Sequence, residues 1–243
     1  MRIVIYGQTD VGRSRKNNQD SIYISSKHGL VVVADGIGGR KGGEVASKIA
    51  VEGMRDEYLA CESLRHEEVS NFLIGSIDRI NQKIIKHGEN NQEVEGLATT
   101  LNCILFVGER AFISHLGDSR TYLYYKGNLW QLTFVHNIEN YVERGWLPDE
   151  ALLNNPKPGA LVRALGLAED CDVDIYEVPI KPGEILITCS DGLTGMVSDQ
   201  EIRKVIKANA HQLHELPQIL IDLANRNGGQ DNITVAVTGI LRD

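Results

Sequence analysis

Apolar residues in this chain come in short runs bounded by turn residues, and the runs change period along its length. Residues 3–6, 21–25 and 30–34 are rich in β-branched side chains and read as strands. After Gly42-Gly43 the period becomes helical. Val45, Ile49 and Gly53 form one row, with Ala46, Ala50, Met54 and Tyr58 beside it. Val69, Phe72, Leu73, Ile77, Ile80 and Ile84 make the single apolar stripe of a second helix. Strands follow at residues 99–107, 111–116, 120–125 and 129–132, with hairpin turns at Gly108-Glu109 and Lys126-Gly127-Asn128. Regularity is lost over about residues 136–160, which carry Pro148, Pro156 and Pro158, so an irregular or mobile flap is expected there. Strands resume at 173–178 and 184–189. Ser198-Asp199-Gln200-Glu201 is a capping box that opens a helix. Another helix is expected from about 215 to 227, with Pro217 in its first turn, and residues 233–240 form a last strand.

Strands therefore arrive in runs joined by tight turns, not alternating one-for-one with helices. That pattern predicts antiparallel sheets with segregated helices, an α+β fold. The 243 residues suffice for one well-packed domain, and no linker-like stretch divides them, so a single domain over 1–243 is expected.

The formal net charge is −8, and no Lys/Arg stripe runs along any segment, which argues against a nucleic-acid binder. Cys61, Cys103, Cys171 and Cys189 show no metal-ligand spacing and read as structural thiols. Residues 1–6 are too short for a signal-peptide core, and no apolar run approaches the ~20 residues of a membrane helix. A cytoplasmic protein without membrane partners is expected.

Several aspartates share one local grammar: an apolar strand before, a glycine or small polar residue after. Asp35 ends Val31-Val32-Val33-Ala34 and precedes Gly36. Asp191 ends the run from Ile185 and precedes Gly192; Asp118 follows Phe112-Ile113-Ser114-His115-Leu116-Gly117. Asp231 introduces the last strand, and Asp20 sits just before residues 21–25. Singly, each Asp-Gly reads as an ordinary turn. Together, carboxylates at the ends of strands would repel one another unless cations sat among them. Oxygen donors suit Mg²⁺ or Mn²⁺ better than zinc.

The glycine-rich stretch 36–43 lacks the Gly-Lys-Ser/Thr ending of a nucleotide loop and the spacing of a dinucleotide fingerprint. Arg15 is either a phosphate-gripping guanidinium or a solvated loop arginine. His115 and His136 read as structural residues or, less readily, catalytic ones. Trp130 and Trp146 are expected in core and flap packing.

These motifs, in this order, resemble those of the metal-dependent protein serine/threonine phosphatases of the PPM (PP2C-type) family, in their compact bacterial form. The resemblance rests on Thr9-Asp10-Val11-Gly12 with Arg15 and Asn17-Asn18-Gln19-Asp20-Ser21, then on Val33-Ala34-Asp35-Gly36-Ile37-Gly38-Gly39. Gly96-Leu97-Ala98-Thr99-Thr100 and His115-Leu116-Gly117-Asp118-Ser119-Arg120 continue it. Arg163-Ala164-Leu165-Gly166, Ser190-Asp191-Gly192-Leu193 and Gln230-Asp231-Asn232-Ile233-Thr234 complete it, over nearly the whole chain.

The resemblance implies a four-layer αββα sandwich, two antiparallel sheets flanked by helix pairs, with a metal site at one end. It implies that Asp35 bridges two Mn²⁺ or Mg²⁺ ions, with the Gly36 carbonyl on one and Asp191 and Asp231 on the other. Asp118 with Asp191 would hold a possible third ion, Asp20 would hold metal-bound waters or ligate directly, and Arg15 would grip the substrate phosphate. The implied reaction is hydrolysis of phosphoserine or phosphothreonine by a metal-bridging hydroxide, without a phosphoenzyme. Phosphorylated proteins, a Ser/Thr kinase or its targets among them, are the expected partners of a monomer.

Three positions depart from the family pattern: Ile37 where many members carry His, Gln19 for the frequent Glu, and Val135-His136-Asn137 for Asp-His-Ser. Two rivals remain, a phosphoprotein-binding module without activity and a two-metal nuclease or phosphodiesterase. The retained aspartates weigh against the first and the acidic balance against the second.

Overall fold

A computed structural model describes residues 1–37, 42–61, 63–155 and 157–242. Gly38 to Lys41 of the glycine-rich stretch and Pro156 of the flap lie outside the described residues. The chain opens with β1 (Arg2–Asp10), β2 (Asp20–Ser25) and β3 (Leu30–Asp35), then α1 (Gly43–Ala60) and α2 (Val69–Glu89). The hairpin block is β4 (Leu101–Val107), β5 (Arg110–Leu116), β6 (Arg120–Tyr125) and β7 (Asn128–Gln131). Two short helices, α3 (Ile138–Glu143) and α4 (Glu150–Asn154), then lie in the stretch whose sequence shows no regular period. The remainder runs β8 (Asp174–Pro179), β9 (Ile185–Cys189), α5 (Asp191–Thr194), α6 (Asp199–Asn209), α7 (Leu216–Arg226) and β10 (Ile233–Leu241).

The strands pair into two five-stranded sheets, ordered β1-β10-β9-β6-β7 and β2-β3-β4-β5-β8. Every ladder between them is antiparallel. Because side chains alternate across a strand, β3 feeds two cores at once. Val31 and Val33 pack with Ile104, Ile113, Leu186 and Ala236 between the sheets. Leu30, Val32 and Ala34 pack on the other side with Ala46, Met54, Leu73 and Ile77 of α1 and α2. A strand buried on both faces has no polar alternation, which is why this run is continuously apolar.

The second sheet repeats the arrangement. Ile187, Cys189, Val235 and Val237 meet Ile202, Ile206, Leu220 and Ala224 of α6 and α7. The layers are thus helices, sheet, sheet, helices, the expected α+β sandwich. The capping box at Ser198 and Glu201 forms, and Pro217 sits in the first turn of α7.

Two expectations are corrected. Trp130 is not core: it stands on edge strand β7, 48% exposed. Thr99 and Thr100 do not begin β4; Thr99 makes isolated bridges to Gly36 and Leu165 instead. Among the described residues, no helix is long and apolar enough to cross a membrane.

Ile104 is fully buried between the two sheets. Ile104→Ala should lower the unfolding free energy by about 2–5 kcal/mol, the range for a large-to-small change in a core that cannot collapse, measured by urea titration.

Candidate active site

The antiparallel order brings the end of β3, the β5–β6 turn, the end of β9 and the start of β10 to one end of the sandwich. There, Asp35, Gly36, Thr100, Asp118, Asp191 and Asp231 line a cavity of about 580 Å³. Lys157, Gly159, Ala160 and Leu161 line it as well, and so does Ile37. Five of the sequence-predicted positions therefore share one space.

Asp20 stands behind the cavity. It is the register partner of Asp35 across the β2–β3 ladder. Its Oδ2 accepts hydrogen bonds from Ser190 Oγ at 2.7 Å and Thr234 Oγ1 at 2.6 Å. Arg15 lies at the rim, where Nη2 donates to Asp231 Oδ2 at 2.7 Å. The guanidinium, on an exposed loop, is ion-paired to the acidic cluster.

Glycine is required where the backbones crowd. A Cβ on Gly36 would lie 2.3 Å from the Gly43 backbone, so only glycine lets the end of β3 meet the start of α1. Gly117, at φ 105°, turns the chain ahead of Asp118, and a Cβ there would strike the Thr100 side chain at 2.6 Å.

Several supporting residues had no role assigned from the sequence. Thr99 Oγ1 donates to Asp35 O at 2.8 Å, while Asp35 N donates to Thr100 Oγ1 at 3.0 Å. Thr100 Oγ1 also lies 2.8 Å from Ser119 Oγ, tying β3 to the turn that carries Asp118. Asn232 Oδ1 accepts from Gln19 N at 2.8 Å, and its Nδ2 donates to Val11 O and Asn17 O at 2.9 and 3.0 Å. One amide thereby fastens the Arg15 loop beside Asp231. The available signal was that each is a small polar residue adjoining a strand-end aspartate or its partner strand.

The electrostatics are those of crowded like charges. Burial, followed by the neighbouring carboxylates, holds Asp35 well above the usual carboxylate range. Burial also raises Asp191, and it pushes Asp118 up to about 7 with Asp191 adding to the effect. Asp20 is pushed up to about 6 by burial, against the hydrogen bonds from Thr234 and Ser190. Asp35 and Asp191 share a hydrogen bond that favours a proton on Asp35.

Asp20 Oδ1 and Asp191 Oδ1 are buried without a hydrogen-bond partner. Among the described residues, no three acidic or imidazole groups close on one point in ion-holding geometry. Asp35 is instead paired with Asp191 and Asp231 with Arg15, while Asp20 is held by the hydroxyls of Ser190 and Thr234. Orphaned hard oxygens beside raised acids nonetheless fit a divalent cation, whose charge would replace the shared proton and free Arg15.

Neither histidine lines the cavity. His136 Nδ1 accepts from Gly117 N at 3.2 Å, so its proton sits on Nε2, which lies 3.2 Å from Asp174 Oδ2. Arg163 Nη1 and Tyr176 Oη also donate to Asp174, at 3.0 and 2.9 Å. His115 packs against His136 with centroids 4.7 Å apart, and burial holds it down to about 3. The pair is a structural tie between the Gly117-Asp118 turn and residues 136–176. Asn137 caps α3 by accepting from Asn140 N at 2.9 Å. Trp146 packs edge-on against Phe134 and Tyr141, each at 5.1 Å, as expected of flap packing.

Comparison with known proteins agrees with this geometry. A family model described as protein phosphatase 2C matches residues 9–219. The serine/threonine phosphatase stp of Listeria innocua is 35% identical over 233 residues, covering 94% of this chain and 92% of its own. The serine/threonine phosphatase PstP/Ppp of Mycobacterium tuberculosis superposes with a TM-score of 0.86 at 30% identity, covering 100% of both chains. A PstP catalytic domain solved in complex with two manganese ions matches at 30% identity and a TM-score of 0.85, with 99% of both chains covered. The chain belongs to the protein phosphatase 2C family and is a serine/threonine protein phosphatase.

The Asp174 anchor has a pH signature. Burial alone would raise this carboxyl, but the hydrogen bonds from His136 and Tyr176 and the charge of Arg163 outweigh it and hold it down to about 2. A depressed acid stabilises the native state above its ordinary value and loses that effect as pH falls through the native one. Trp146 fluorescence, followed in a Trp130→Phe background, should therefore shift as pH drops from about 4 towards about 2. Asp174→Asn should remove that step.

Proposed function

We propose that this site hydrolyses phosphoserine and phosphothreonine in proteins with the help of two divalent cations, Mn²⁺ or Mg²⁺, and a possible third. The observation that carries the reading is the meeting of Asp35, Asp118, Asp191 and Asp231 with Gly36 in one cavity, under an arginine held by Asp231. Asp35 and the Gly36 carbonyl, with Asp191 and Asp231, are the donors assigned to the first two ions, and Asp118 with Asp191 to the third. Asp20, behind the wall, suits the holding of waters that complete an ion's shell. Bound divalent ions lower the pKa of water and balance phosphate charge, which suits direct hydrolysis by water.

The chain's own groups do the rest. Arg15, once Asp231 is engaged elsewhere, can turn its planar fork to the phosphate oxygens and fix the group for in-line attack. Thr99, Thr100 and Ser119 hold the Asp35 and Asp118 backbones still, so the carboxylates need no reorganisation as charge develops. Ile37 offers no proton, so the donor to the leaving serine or threonine oxygen is open, a water in the cavity being one candidate. We assign the whole chain to one catalytic domain, acting as a monomer against phosphoproteins that include a Ser/Thr kinase or its targets. The stretch at about 136–160 would serve as a flap over the cavity.

Asp35→Ala and Asp231→Ala should each lower Mn²⁺-dependent phosphate release from a phosphothreonine peptide by at least about a thousandfold, the scale of losing core electrostatic stabilisation, with circular dichroism unchanged. Near-wild-type turnover by either would overturn the assignment, as would wild-type preference for a phosphate bis-ester or an oligonucleotide.

A second test needs no turnover. Raised carboxyl values mean the native state keeps protons that the unfolded chain releases, so stability without metal should fall as pH rises from about 4 towards 7. Mn²⁺ should restore the melting temperature at pH 7 and do little at pH 4. An Mn²⁺ response equal at both pH values would count against cation binding by these carboxylates.

A further inference from the structure

A second cleft, of about 520 Å³, lies between the β6–β7 sheet edge and α3. Its polar wall is Arg120, Gln131, Thr133, Asn140 and Arg144, and no carboxylate lines it. On a chain of net charge −8, two arginines facing one cavity, only Arg120 of them with an acid nearby and that at 3.9 Å, form a local positive site. Arg144 is held in place by chemistry other than an ion pair: its guanidinium lies 5.1 Å from the Phe134 ring centroid. Phe134 is itself braced by Trp146 and Tyr141. Among the described residues no carboxylate pairs with Arg144.

Arg120 is half-satisfied. Its Nη1 donates to Tyr122 Oη at 3.2 Å and reaches Gln131 Oε1 only at 3.5 Å, while Asp199 stands 3.9 Å away. Its Nε is buried with no partner at all. That N–H carries its own desolvation cost, and an anion entering the cleft would meet the guanidinium at its Nη edge instead. Aromatic-stacked, pre-positioned arginine beside amide and hydroxyl groups suits a carboxylate or phosphate.

The cleft also adjoins the catalytic cavity. Arg120 is two residues from Asp118 on the same turn and strand, close enough for its charge to act on both Asp118 and Asp191. The segment after α3 continues to Lys157, Gly159 and Leu161, which line the catalytic cavity itself. Asp118 on one lining and Arg120 on the other are two residues apart, so a peptide held in one cavity would pass beside the other.

We propose that the Arg120–Arg144 cleft is a docking subsite for an anionic side chain of the substrate, an acidic residue or a second phosphate flanking the reacting one. The inference rests on the phosphatase reading and adds a substrate preference to it.

The test compares phosphothreonine peptides identical except for a flanking position, scanned on both sides, carrying Glu, a second phosphate or Ala. Wild type should show a KM lower by about tenfold for an anionic flank, the size of one charge-assisted contact, with kcat little changed. Arg144→Glu should erase the difference, while turnover of 4-nitrophenyl phosphate, which has no flank, stays within about twofold, the tolerance allowed a rim charge change. Equal KM for all flanks in wild type, or a preference that survives in both Arg144→Glu and Arg120→Gln, would overturn the proposal.

Fluorescence anisotropy of the same peptides in excess chelator gives a readout independent of catalysis. If wild type released no phosphate from any substrate, the phosphatase reading would fail, and weaker binding of the anionic-flank peptide to Arg144→Glu would still uphold the cleft. Inorganic phosphate competing with that peptide would place a free anion in the same subsite, and tighter binding of the doubly phosphorylated peptide than the Glu peptide would distinguish the two flanking sources.

Discussion

Mutual repulsion among Asp20, Asp35, Asp118 and Asp191 is the constraint around which this molecule is arranged. Four acids with raised pKa values share one end of a sandwich whose cores are otherwise hydrocarbon. Such a cluster persists only if the framework is stiff enough to oppose it. Two sheets, each buried against the other and against a helix pair, supply that stiffness, because neither can relax without opening a cavity. The hydroxyls of Ser190 and Thr234 on Asp20, and of Thr99 and Thr100 on the Asp35 backbone, then fix individual groups.

The same constraint gives the site its chemistry. With protein groups alone, the charge is managed by a proton between Asp35 and Asp191 and by Arg15 on Asp231. Both compensations are replaceable. A cation could displace the proton, and a phosphate could recruit the arginine, so a site built from these acids is poised for exchange instead of being sealed by permanent salt bridges. Membership of the protein phosphatase 2C family is consistent with that use of the site.

Residues 136–176 carry a different kind of specificity. His115 and His136, buried and stacked, join the Asp118 turn to β8 through Asp174. The aromatic group Phe134, Tyr141 and Trp146 braces α3 above it. On one side of this segment lies the acidic cavity, and on the other the basic cleft of Arg120 and Arg144. With cations on the carboxylates, both sides would receive anionic groups, the reacting phosphate on one and a flanking acid on the other.

The sequence by itself determined the period of each element and the residues able to carry chemistry. A short β-branched run between turn residues suits a strand and a 3.6-fold stripe suits a helix, so β3, α2 and the hairpin block were legible from local physics. The strand-end aspartates were legible too, since a charge after an apolar run needs a reason. Tertiary structure alone decided which of them meet. It placed Asp20 behind the cavity instead of on its wall and set Arg15 against Asp231, 216 residues away. It also turned Thr99 from a strand residue into a support for Asp35 and left Trp130 in solvent. The β-ladder register makes those choices, because pairing partners distant in the chain fix where each side chain points, and no local window contains both partners.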